Sequence, residues 1–236
     1  MLRLYDTRHR LVEPLLPPGT RGLRAYASAD LPGQVYADLI RRVLERSSVR
    51  VVACRSLDGD LTPLNVRPAE HVPDGMAGAL RLLGGRVDLY LSDTDEAVDD
   101  AAVRHRVRSA ATLDGPVPDG LDPLSVRLAL MEHHYRDETT LAPDALRDAG
   151  DTIRRWRRRV AEWAELPSSP IAADRAAALT EAFDDDLDTP RALRVLRELE
   201  DDREVPPGSK FETFLHADHI LALDLSIDIG RPPALS

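Results

Sequence analysis

The single cysteine, Cys54, is the first residue whose type could do chemistry. It follows residues 49–53, a short β-branched run that reads as a buried strand, and open α/β sheets gather ligands at the carboxyl ends of their strands. A thiol there is a nucleophile only beside a base. No spacing identifies such a base, and a lone cysteine equally serves as a small packing residue. One cysteine excludes an internal disulfide and a multi-cysteine zinc site. Among the seven histidines, His133 and His134 are adjacent on an expected helix, about 100° apart, which keeps them from sharing an ion. His216 and His219, with Asp218 between them, have ligand spacing but also suit the wet face of a final helix. The expectation is no metal and no cofactor.

Charged runs offer two further chemistries. Arg154, Arg155, Arg157, Arg158 and Arg159 flank Trp156 and could meet phosphate, yet Asp148, Asp151 and Glu162 lie at helical pairing distance. The run therefore reads as a solvated helix face. Asp184, Asp185, Asp186 and Asp188 could hold Mg²⁺, and they also suit the start of the next helix, where negative charge meets the dipole. Lys210 is the only lysine beside thirty arginines. A mechanism needing a phosphate-binding lysine must use it. There is no glycine-rich phosphate loop and no Gly-x-Ser-x-Gly elbow.

These residues need elements to position them. Residues 2–5, 23–26, 49–53 and 87–91 read as strands. Residues 34–46 and 69–83 read as helices, the second ended by Gly84-Gly85. A polar helix is expected over 94–110. Strand–helix alternation favours a parallel sheet. Residues 112–123, with Gly115-Pro116, Pro118, Gly120 and Pro123, read as a linker. Everything beyond is expected to be helical. Leu124, Leu128, Met131 and Tyr135 form one stripe, and Leu146, Ala149, Ile153, Trp156, Val160 and Trp163 another. Ser169-Pro170 and Thr189-Pro190 read as cap and first-turn pairs, and Pro206-Pro207-Gly208 leads into the last helix. The 236 residues, 43% hydrophobic and 31% charged, are globular in composition. No apolar run approaches the ~18 residues of a membrane span, and no secretory signal pattern opens the chain. A cytoplasmic protein without a membrane partner is expected. Net charge is −10, split as +1 over residues 1–110 and −11 over 111–236. An acidic half argues against nucleic-acid binding.

Several segments in collinear order resemble cysteinyl-tRNA synthetases and their paralogue, the mycothiol-pathway cysteine ligase. These are Leu2-Arg3-Leu4-Tyr5-Asp6-Thr7, residues 64–68 through 87–90, Asp122-Pro123-Leu124-Ser125-Val126-Arg127-Leu128-Ala129-Leu130 with His134-Tyr135-Arg136, Asp185-Asp186-Leu187-Asp188-Thr189-Pro190-Arg191-Ala192-Leu193, and residues 218–225. The resemblance implies a class I synthetase-like fold. It also implies a zinc thiolate on the first parallel strand, a HIGH motif for ATP and a KMSKS lysine. The chain departs at each of these. Ser28 stands where the thiolate would fall, residues 30–36 run into the helix without HIGH, and about thirty residues without lysine replace the segment that carries KMSKS.

The resulting expectation is a truncated Rossmann-like α/β domain over residues 1–115 and a helical domain over 122–236, the latter resembling the synthetase stem-contact and bundle helices. The functional expectation is a degenerate synthetase-like pseudoenzyme, without aminoacyl-tRNA ligase activity, that acts as a binding or accessory protein for a protein or small-molecule partner. The alternative is a small cysteine- or nucleotide-related ligase or transferase with a remodelled pocket. A tRNA-binding remnant ranks third. The pocket candidates are Tyr26, Ser28, Asp30, Cys54 and Asp58. Convergence of these into a polar pocket favours ligand binding, whereas a large apolar patch on the helices favours a protein partner.

Overall fold

The computed structural model describes residues 1–94, 98–99 and 101–231. The chain opens with an antiparallel hairpin, β1 (Arg3–Asp6) and β2 (Leu11–Pro14). The central sheet follows: β3 (Gly22–Ala27), β4 (Arg50–Arg55), β5 (Glu70–His71), β6 (Val87–Ser92) and β7 (Val103–Arg108), all parallel, in the order β5-β4-β3-β6-β7. Strands are thus added outward from β3 on one side and then from β6 on the other. The reversal between β3 and β6 is the switch point of a Rossmann-like sheet.

Each face of the sheet is covered by a different element. Leu23, Ala25, Val51, Leu89 and Leu91 pack with α1 (Leu31–Arg46) in the large core, which continues through Leu130, Trp156, Leu196 and Ile220 of the helical region. Tyr26, Cys54 and Tyr90 face the other way, against Ala79 and Leu83 of α2 (Gly75–Leu83). Both faces of β6 are covered, and all six of its residues are buried.

The helical region comprises α3 (Leu124–Met131), α4 (Pro143–Ala164), α5 (Ala173–Asp184), α6 (Thr189–Asp201) and α7 (Pro207–Leu221). The apolar stripe of α4 is buried as its spacing requires. Trp156 and Trp163 meet Phe214 edge-on, with centroids 5.6 and 5.1 Å apart. Asp186 ties this region to the hairpin. Its Oδ1 accepts from the Tyr135 hydroxyl at 2.6 Å and from the Tyr5 amide at 2.8 Å.

Several expectations are corrected. Residues 103–108 of the expected polar helix form β7, while residues 95–97 and 100 lie outside the described residues. Val103, His105 and Val107 are buried alternately with more exposed arginines, a period of two that only the open edge of β6 can use. The helix expected over 69–83 starts at Gly75, because residues 70–71 add to β4 instead. Cys54 lies within β4 rather than after it. Helix α3 ends at Met131, so His133, His134 and Tyr135 lie beyond it in a turn. The region past the linker is not wholly helical, since β8 (Thr112–Leu113) pairs with β9 (Thr140–Leu141). Ser169-Pro170 starts no helix. A Cβ on Gly208 would meet Pro167 O at 2.5 Å and Ser169 N at 2.6 Å, so this segment is pressed against the start of α7. Asp188, not Thr189, caps α6, accepting from the Arg191 amide at 2.9 Å.

Candidate functional site

Cross-strand register assembles the site. Tyr26 stands opposite Cys54 on one side and Tyr90 on the other, and Tyr90 stands opposite Arg106. Period-two alternation therefore puts all four on the α2 side of the sheet. The Tyr26 and Tyr90 rings stack with centroids 5.6 Å apart, a contact that adds about 0.5–1.5 kcal/mol beyond burial. One step past the end of β3, the Ser28 hydroxyl hydrogen-bonds the Tyr90 hydroxyl at 2.7 Å. The Ser28 amide donates to Leu91 O at 2.9 Å, which seats Ser28 across the switch point.

Beside this pair a cavity of about 200 Å³ opens at the carboxyl ends of β6 and β7, lined by Thr7, Tyr90, Ser92, Thr94, Arg106, Val107 and Arg108. Its walls are hydroxyls and guanidinium groups. Asp30 borders the same strand ends from the start of α1, where its carboxylate accepts from the Gly33 amide. Its own amide donates to Asp93 Oδ2 at 3.0 Å. Burial raises the Asp30 pKa, and the Asp93 carboxylate adds to that effect against the Gly33 hydrogen bond.

The five candidates thus divide. Tyr26 and Ser28 are joined through Tyr90, and Asp30 sits at the adjoining helix start. Cys54 shares the row with Tyr26 but is buried, its sulfur 3.8 Å from Ala25 O. Burial, with help from Glu70, pushes its thiol up to about 11, which removes the thiolate at neutral pH. Asp58 lies in the exposed loop after β4 and accepts from its neighbour Gly59. Sequence reasoning missed Tyr90, Ser92, Arg106 and Arg108. The misassigned segment 94–110 hid the arginines, while the alternation of β6 could have flagged Tyr90.

Among the described residues the Ser28 hydroxyl is hydrogen-bonded to a phenol rather than to an imidazole or carboxylate. The zinc ion implied by the resemblance does not fit, because Ser28 offers a hydroxyl already engaged and Cys54 is the single thiol. The arginine run is largely committed to carboxylates: Arg154 pairs with Asp151, Arg155 with Glu200, Arg157 with Asp122 and Arg159 with Glu162. Among the described residues no helix is long and apolar enough to cross a membrane.

No protein-family model matches the chain. Stretches of it are similar to curated proteins named L-cysteine:1D-myo-inositol 2-amino-2-deoxy-alpha-D-glucopyranoside ligase. With that of Gordonia bronchialis the identity is 44% over 75 residues, 32% of this chain and 17% of the relative. With that of Mycobacterium sp. (strain KMS) it is 41% over 78 residues, 33% of this chain and 18% of the relative. The Rhodococcus erythropolis protein gives the same 41% over 78 residues. The matches therefore span less than a fifth of the length of these relatives, at 17–18%.

Proposed function

We propose that this chain is a non-adenylating relative of cysteine ligases that binds a small polar metabolite in the crevice between β3, β6 and β7. The observation that carries this reading is the cavity itself. At about 200 Å³, with hydroxyl and guanidinium walls, it is smaller than the ~300–1,000 Å³ typical of drug-sized and cofactor ligands. That volume suits an amino-acid-sized or phosphate-sized group. Cysteine is the first ligand to test, since the similar proteins are named for it. In this reading residues 1–115 hold the ligand and residues 122–236 brace them, and the protein works in the cytoplasm as an accessory to another activity.

Two measurements test it. Cysteine-dependent ATP–pyrophosphate exchange is expected at the no-enzyme background, because no HIGH-type histidines or loop lysine stand ready for the leaving phosphates. Exchange above background refutes the non-adenylating reading. Calorimetric titration with cysteine and with inorganic phosphate is expected to give saturable binding to one of them that Tyr90→Phe and Ser28→Ala weaken. Failure of both ligands to bind refutes the crevice.

A further inference from the structure

A second group of chemistry-bearing side chains lies on the other face of β7. Alternation along β1 puts Leu4 and Asp6 on one face of the hairpin, and the pairings Leu4↔Glu13 and Asp6↔Leu11 bring Glu13 to the same face. That face looks at His105 of β7. The hairpin is docked there by the Thr7 amide on Arg106 O at 2.9 Å and by Arg8 on Val103 O at 2.8 Å. His105 Nδ1 stands 3.7 Å from Asp6 Oδ2 and 3.8 Å from Glu13 Oε1. From the turn, His9 Nδ1 stands 3.0 Å from Glu13 Oε1 and 3.7 Å from Asp6 Oδ2. Two carboxylates and an imidazole from the hairpin thus face an imidazole from β7, which is distant in sequence.

We propose that Asp6, Glu13 and His105, whose ligand atoms all lie within 4.8 Å of one another, form a binding site for a zinc-class divalent cation that clamps the β1–β2 hairpin to the sheet edge at β7. Ligand atoms around one tetrahedral ion, at bonds of about 2.0–2.2 Å, lie ~3.4 Å from one another. His105 Nδ1 stands close to that distance from both carboxylates, at 3.7 and 3.8 Å. The separations around His105 are also too long for hydrogen bonds. His105 is 2% exposed, and its Nδ1 lies 3.7 and 3.8 Å from two carboxylate oxygens that it does not hydrogen-bond. A buried ring nitrogen facing two carboxylates at non-bonding distance is satisfied when an ion sits between them.

Arg8 is the opposing charge. Its Nη2 donates to Asp6 Oδ2 at 3.0 Å and its Nε to Oδ1 at 3.4 Å. One guanidinium against two carboxylates leaves a net negative site, and the Arg8 contacts fix the rotation of the Asp6 carboxylate, as partners behind a metal ligand do. Nitrogen and carboxylate ligands together select a first-row cation such as Zn²⁺ over Mg²⁺ or Ca²⁺. The sequence expectation of no metal did not weigh these residues together, because His105 lies far from the hairpin in sequence, in the segment read as a helix.

The test uses the full chain, stripped with chelator, and titrates Zn²⁺ by calorimetry and Co²⁺ by visible absorption. One ion per chain is expected, with d–d bands of a four-coordinate nitrogen–oxygen site and a rise in Tm on loading. His105→Ala is expected to abolish binding. Because that buried change could also unfold the hairpin, Glu13→Gln is the decisive variant. It is expected to weaken Zn²⁺ by about tenfold or more while leaving the metal-free Tm in place. A His216→Ala/His219→Ala double variant is expected to bind as the parent does. Absence of saturable Zn²⁺ binding overturns the site, as does binding that survives Glu13→Gln or is lost in the double variant.

Discussion

The Arg127 guanidinium donates to Asp38 Oδ2 at 2.6 Å, with both side chains essentially without solvent exposure, at 0% and 1%. The pair joins α3 to α1, and so the helical region to the sheet. Arg127 also donates to Leu221 O at 2.5 Å and Leu64 O at 3.2 Å, satisfying a carbonyl at the end of α7 and one in the loop before β5. Arg42 reaches Asp38 from the next turn of α1 at 2.7 Å. Removing one partner of a buried pair strands the other charge, a cost of about 3–5 kcal/mol. Arg127→Ala is therefore expected to lower the urea midpoint by that equivalent. Arg127→Lys is expected to rescue little of it, since an ammonium cannot span the same acceptors. An Arg127→Ala midpoint equal to that of the parent would remove the pair from any stabilising role.

Acid should find the same joint. Burial alone would raise the Asp38 pKa, but Arg127 and Arg42 together with the Arg67 amide hold it below the ordinary carboxylate value. At Asp6, burial is likewise outweighed by Arg8 and His105. With folded-state pKa values below the unfolded ~3.9, both carboxylates bind fewer protons in the native state. Their contribution to stability is complete above about pH 4 and drains as pH falls through the folded-state values. Asp218, whose pKa burial raises, acts in the opposite direction. Denaturant midpoints are expected to fall steeply below about pH 4, and less steeply in Asp38→Asn, whose midpoint at neutral pH is already lower.

Cys54 is expected to resist alkylation. With the thiol pushed up to about 11 against ~8.5 for a free cysteine, the thiolate at pH 8 is scarcer by about a hundredfold or more. Iodoacetamide labelling followed by mass spectrometry should be at least that much slower in buffer than in urea. Equal rates would mean a reactive thiol and reopen a nucleophilic role.

tRNA is expected not to bind at micromolar protein and physiological salt. Residues 111–236 carry −11, and Arg154, Arg155, Arg157 and Arg159 are paired with carboxylates. An anisotropy titration decides the point. Saturable binding with a steep dependence on salt would demonstrate phosphate contacts.

Local pattern in the chain was sufficient for much of the architecture. The strands at β3, β4 and β6, the helix α1 and the buried stripe of α4 follow from apolar periodicity. The start of α6 follows from Thr189-Pro190 and the acidic run before it, although the cap itself is Asp188. The resemblance also pointed to Ser28 in place of a thiolate before any geometry was known. Segment 103–108, Val-Arg-His-Arg-Val-Arg, went the other way because its three arginines carry little strand preference and outnumber its two valines. Its alternation becomes meaningful only once β6 presents an unpaired edge, and an edge is a property of the sheet rather than of the segment. The candidate site divides along the same line. Tyr26, Ser28 and Asp30 are close in sequence and could be named together, whereas Tyr90, Arg106, Arg108 and the cluster of Asp6, Glu13 and His105 are assembled by strand register. Register is fixed by burial across the whole sheet, so only the tertiary structure decides which distant side chains share a face.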